Sequence, residues 1–124
     1  MKPYALICVA LVTADQLLKQ LLPTPYWGWH PGGYSWYGLT VGFAAVAVLV
    51  AYPPIRLGGT IMLAGMVGNV VSVAHGAVAN PFLIGSLAFN LADLMLLTGF
   101  LVICGSAMGI ARDIRARGLA RGWK

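Results

Sequence analysis

Seven polar residues are the informative ones within the chain's largely apolar stretches. They are Asp15, Gln16 and Lys19, then Asn69 and Ser72, then Asn90 and Asp93. Asp15 and Lys19 sit at i and i+4 with the acid N-terminal, the order that favours an ion pair on a helix. Asn69 and Ser72 are three apart, as are Asn90 and Asp93, so each pair shares one helix face. An ionised aspartate at the centre of a membrane span costs roughly 2.5–3.5 kcal/mol, so such groups face a bundle interior or a water-filled cavity. Two kinds of chemistry are open to them. Interhelical hydrogen bonding would hold a bundle together, at about 0.6–2 kcal/mol per contact. Alternatively, a carboxylate would move protons at a catalytic site. One such set is Ser72 as nucleophile, His75 one turn on as base, and Asp93 as the orienting acid. Against that set, a solvated histidine near the outer interface is the ordinary role for His75, and for His30.

The elements that must carry these residues follow from composition. The chain has 124 residues, of which 60% are hydrophobic and 9% charged. A soluble domain carries about 25% charged residues. The mean hydropathy is +0.84. So few charges cannot build a water-exposed surface, and so much apolar content excludes disorder. An integral membrane protein remains. A helical span takes about 20 residues, so four spans fit and six do not. The runs fall at about 4–22, 37–52, 57–79 and 82–110, and Pro53-Pro54 stops the second. The expected fold is an all-α, integral membrane four-helix bundle. Residues 1–111 form its membrane domain and 112–124 a basic tail. Cys8 and Cys104 lie within apolar runs and read as apolar filler.

Basic residues give the expected orientation. With both termini inside, Lys2, Arg56, Arg112, Arg115, Arg117, Arg121 and Lys124 are cytoplasmic, seven of the eight. Lys19 alone is outside. Tyr26, Trp27, Trp29, Tyr34, Trp36 and Tyr37 then cluster in a short, aromatic-rich outer loop between the first two helices. Small residues, namely Gly38 and Gly42, Gly65 and Gly68, and Ala88 and Ala92, permit close helix approach. The tail reads as a topology anchor or a site for anionic lipid. Its single aromatic residue, Trp123, makes a base-stacking platform, and hence nucleic-acid binding, unexpected. No phosphate loop or dinucleotide motif is present. His30 and His75 are far apart, without cysteine or acid companions, so no metal or cofactor is expected.

Three of these segments resemble bacterial lipoprotein signal peptidase, also called signal peptidase II. Asp15-Gln16-Leu17-Leu18-Lys19 resembles D-Q-x-x-K of the family's first helix. Gly68-Asn69-Val70-Val71-Ser72-Val73 resembles G-N-x-x-D-R at the end of the third. Phe89-Asn90-Leu91-Ala92-Asp93 is similar to F-N-x-A-D on the fourth. His75-Gly76-Ala77-Val78 resembles the stretch that follows the third-helix motif. Order, spacing and four-span topology agree over nearly the whole chain.

The resemblance implies a membrane aspartyl protease of the bacterial cytoplasmic (inner) membrane, one that removes signal peptides from diacylated prolipoproteins. Paired carboxylates sharing a proton are the chemistry it implies. Asp93 is then a retained catalytic aspartate. Ser72 stands in place of another, and Val73 replaces the adjacent arginine. Asn80-Pro81-Phe82 stands about where the family has another acid. A serine hydroxyl is neither an acidic proton donor nor a base near pH 7, and removing a general base typically costs roughly 100- to 10,000-fold. The expectation is therefore an inactive relative, with Asp15, Lys19, Asn69 and Asn90 holding a polar pocket. Its expected partners are membrane lipid, a prolipoprotein or signal-peptide helix, or a larger membrane complex. Two alternatives stand beside it: an active peptidase with an altered site, and a small structural subunit of a membrane complex.

Overall fold

A computed structural model describes residues 2–22, 26–28, 36–75 and 78–121. Four helices dominate: α1 (Lys2–Leu21), α2 (Trp36–Ala51), α3 (Arg56–Ala74) and α4 (Leu91–Arg121). Three are long and apolar enough to cross a membrane, over Lys2–Leu21, Pro53–Ala74 and Leu91–Arg117, and the apolar Gly42–Ala51 segment of α2 is shorter. Leu6, Val9, Val48, Leu97, Phe100 and Leu101 are exposed on these helices. Such apolar flanks suit lipid as the surrounding solvent.

Helix α3 is the hub, packed against α1, α2 and α4. Its glycines make this possible. A Cβ on Gly58 would lie 2.7 Å from the carbonyl oxygen of Gly99 on α4, and one on Gly99 would lie 2.6 Å from that of Gly58. The two backbones therefore touch directly, as small-residue packing in membranes allows. Gly42 of α2 meets Met66 of α3; the surroundings of Gly38 lie outside the described side chains. Helices α1 and α3 run in parallel. Tyr4 and Arg56 meet at one end, and Lys19 and Ser72 at the other.

Helix α2 stops where Pro53 and Pro54 open a 3-10 turn. The Arg56 guanidinium then donates to the carbonyls of Val50 at 2.9 Å and Ala51 at 3.1 Å. These are carbonyls that a helix end leaves unpaired.

The all-helical expectation needs amendment. Strands β1 (Tyr26–Gly28) and β2 (Val78–Asn80) pair antiparallel, with Tyr26 opposite Asn80. Strands β3 (Phe82–Ile84) and β4 (Leu87–Phe89) form a hairpin. The third helix therefore ends at Ala74, short of Ala79, and the fourth begins at Leu91, not Phe82. Gly85 makes the hairpin turn at φ +61°, where a side chain is strained. Phe82 and Phe89 stack across it at 5.6 Å. Ala88 accordingly lies on β4 opposite Leu83, and not on a helix. At the other end α4 stays helical to Arg121, so the basic segment continues the helix. The expected roles of Trp29, His30 and Tyr34 fall outside the described residues.

Candidate polar site among α1, α3 and α4

The seven polar residues converge where the last turns of α1 and α3 meet the first turn of α4. Asp15 is fully buried. Lys19 pairs with its Oδ2 at 2.7 Å, and Gln16 Nε2 donates to the same oxygen at 2.9 Å. Oδ1 accepts the backbone N–H of Ala92 at 2.9 Å. Asp15 of α1 thus caps α4, a helix it does not belong to. An anionic group at a helix N-terminus is favoured by both the unpaired N–H groups and the helix dipole. Gly68 opens the route, because a Cβ there would stand 2.6 Å from Asp15 Oδ2.

The Lys19 ammonium reaches four oxygens on two helices. Besides Asp15 these are Ser72 Oγ at 2.9 Å, Asn69 Oδ1 at 3.3 Å and the Gly68 carbonyl at 3.4 Å. Gln16 also donates to the Gly68 carbonyl at 2.9 Å. Ser72 in turn donates to that carbonyl at 3.0 Å. The direction of these bonds matters chemically. Ser72 accepts from the lysine and directs its own proton into its helix. A nucleophilic serine needs the reverse, a base that takes the proton.

Asn90 and Asp93 form a reciprocal cap on α4. The Asp93 N–H donates to Asn90 Oδ1 at 3.0 Å, and the Asn90 N–H donates to Asp93 Oδ2 at 3.1 Å. This is a capping box with an aspartate in the usual glutamate role. Asn69 Nδ2 donates to the other oxygen, Asp93 Oδ1, at 3.0 Å. Asn90 Nδ2 completes the network by donating to Asn69 Oδ1 at 3.1 Å and Asn80 Oδ1 at 2.9 Å. Every buried side-chain nitrogen and oxygen among the described residues has a partner.

All seven polar residues therefore belong to one network. Ser72 and Asp93 make no direct hydrogen bond; Lys19 and Asn69 connect them. His75 does not join Ser72 and Asp93 in a relay. It is exposed, and its Nδ1 lies 2.7 Å from the Val71 carbonyl. Among the described residues, no cluster of three or more His, Cys, Asp or Glu is placed to hold a metal ion.

Sequence reasoning placed Asn80 near a family acid but did not anticipate its bond to Asn90. The β1–β2 pairing brings it there, since Asn80 stands opposite Tyr26 in that ladder. A legible signal existed for the neighbouring hairpin: two apolar runs flank Gly85-Ser86, a two-residue turn pattern.

No protein-family model matches the chain. No curated protein matches it either. Solved structures do. One, described as a bacterial membrane enzyme solved by the in meso method at 2.3 Å resolution, aligns with a TM-score of 0.64 at 17% identity. That alignment covers 91% of this chain and 92% of the other. A second bacterial membrane enzyme, solved by the same method at 1.9 Å, aligns with a TM-score of 0.56 at 18% identity, covering 86% and 93%. At such identities the likeness is one of fold. The chain is a membrane protein with the fold of bacterial membrane enzymes.

Proposed function

We propose that this chain is a signal peptidase II-like protein of the bacterial cytoplasmic membrane that binds a lipidated or helical membrane peptide without cutting it. The observation that carries this reading is the engagement of its two intramembrane acids. Asp15 is locked to Lys19 and the Ala92 N–H, and Asp93 to Asn90 and Asn69. An aspartyl protease needs two carboxyls close enough to share a proton, one activating water and one assisting the carbonyl. Asp93 has no acid among its hydrogen-bond partners. Asparagine at position 80 and serine at position 72 leave it alone.

The motif spacing, the four-helix order and the membrane-enzyme fold support the family reading. Asp93 is half-buried, whereas Asp15 and Asn90 are fully buried, so Asp93 is the acid of the network that an occupant could reach. The test is a diacylated prolipoprotein carrying a photo-crosslinker, incubated with the full chain in liposomes. The expected result is cross-linking without release of a signal peptide. Cleavage that disappears in Asp93→Ala would overturn the reading.

A further inference from the structure

A second site lies at the opposite end of the bundle, away from the polar network. Helices α1 and α2 both pack on α3 and leave a groove between them, with a volume of about 520 Å³. Its walls are apolar, formed by Ala5, Cys8 and Val9 of α1 facing Val50 and Leu63. Thr60 also borders the groove, but its hydroxyl donates to the Arg56 carbonyl at 2.8 Å. The groove surface is therefore almost wholly apolar. Lys2 and Arg56 border it as well, and present mainly their apolar stems to it. Arg56 sits over the Tyr4 ring at 5.7 Å, and its hydrogen bonds go to two neutral carbonyls. Neither cation is in an ion pair among the described residues; the ion pair found there joins Lys19 to Asp15.

We infer that this groove binds one anionic phospholipid, with an acyl chain between α1 and α2 and the headgroup phosphate on Lys2 and Arg56. Charge complementarity selects the occupant. An uncharged chain suits the walls, and two bordering cations, neither ion-paired among the described residues, can turn their long side chains to an anion. The depth is consistent too. Lys2 to Val9 spans about 10 Å of helix rise, against about 15 Å for one leaflet's hydrocarbon. Basic pockets between membrane helices are recurrent sites for anionic headgroups. The same end carries the exposed Arg112, Arg115 and Arg117 of α4, which enrich anionic lipid around it. The inference is independent of the peptidase-like reading, since it uses none of the residues of the polar network.

The test is native mass spectrometry of the full chain in detergent, with phosphatidylglycerol or phosphatidylcholine of identical acyl chains. One phosphatidylglycerol retained in preference to phosphatidylcholine is expected. Lys2→Gln should weaken its binding about fivefold, and Arg56→Gln by a similar factor, leaving phosphatidylcholine unchanged. Arg56 also holds the end of α2, so that variant is paired with a circular dichroism check. Lys2 is exposed and carries the test by itself if the Arg56 variant unfolds. Ala5→Phe keeps both cations, fills the groove, and should abolish binding. Equal retention of the two lipids would overturn the inference. So would a phosphatidylglycerol preference undiminished by Lys2→Gln, which would place the headgroup on the α4 arginines. Undiminished binding in Ala5→Phe, or displacement by soluble glycerol phosphate, would also refute it.

Discussion

The carboxylate of Asp15 passes the bare backbone of Gly68 and accepts the N–H of Ala92 at 2.9 Å, so the first helix caps the fourth. The same carboxylate neutralises Lys19. Removing it does two things at once, exposing a buried ammonium and orphaning a helix N–H. Asp15→Ala should therefore cost about 3–5 kcal/mol, the range for breaking a buried pair. Lys19→Met with Asp15→Asn should recover much of that loss, because neither charge is then left alone and an oxygen still faces Ala92. Unfolding in detergent, read as a double-mutant cycle, checks this. Strict additivity would show that the two side chains do not act together.

Gly68 is the matching test on α3. A methyl group there collides with Asp15 Oδ2 and approaches the Cβ of Ala92 at 3.4 Å. Gly68→Ala should destabilise by about 1–3 kcal/mol, as overpacking does. Gly105 is the control, since nothing lies within 4 Å of its built Cβ. Gly105→Ala should be neutral or stabilising by up to about 1 kcal/mol, the helix-interior gain of alanine over glycine. Equal effects at both sites would remove the case for a glycine-gated cap.

How far the sequence disclosed this arrangement differs from residue to residue. Asp15 and Lys19 were legible because their i, i+4 spacing brings them together on any helix. Asn90 and Asp93 were legible as one face, yet their reciprocal capping was hidden by a fourth span begun at Phe82. An unbroken apolar run conceals a hairpin when hydropathy outweighs turn chemistry, although Gly85-Ser86 marked the turn. The contact between Asp15 and the Ala92 N–H could not be read at all. It involves a backbone group 77 positions away, reached only because α3 lacks a side chain at Gly68. Asn80 was likewise hidden, because a strand pairing between two loops sets its position.

The capping box predicts a local effect. Asn90→Ala removes the oxygen that accepts the Asp93 N–H and the amide that joins Asn69 to Asn80. A lost cap costs about 0.5–2 kcal/mol, and the vacated amide contacts add to it. Asn90→Asp keeps the capping oxygen but loses both amide donors, so it separates the two roles. Hydrogen exchange at the first-turn amides of α4 should accelerate in Asn90→Ala and stay slow in Asn90→Asp. Fast exchange in both would show that the amide network, and not the cap, holds that turn.

The last prediction concerns which position could supply a second acid. Ser72 and Asn80 both stand where the resemblance places acids, but their surroundings differ. An aspartate at 72 meets the Lys19 ammonium, 2.9 Å from the present hydroxyl, and becomes its second counter-ion. Such a carboxylate is neutralised by lysine and shares no proton with Asp93. An aspartate at 80 instead meets Asn90, the residue that already bonds both Asn80 and Asp93. It is linked to Asp93 through Asn90, without lysine in its hydrogen-bond set. Asn80→Asp should therefore give measurable prolipoprotein cleavage, abolished by adding Asp93→Ala. Ser72→Asp alone should give none. The reverse pattern would place the missing partner of Asp93 on α3 and refute the role of Asn80. Silence from Asn80→Asp, in protein that still cross-links substrate, would show that a second carboxyl at that position does not pair with Asp93.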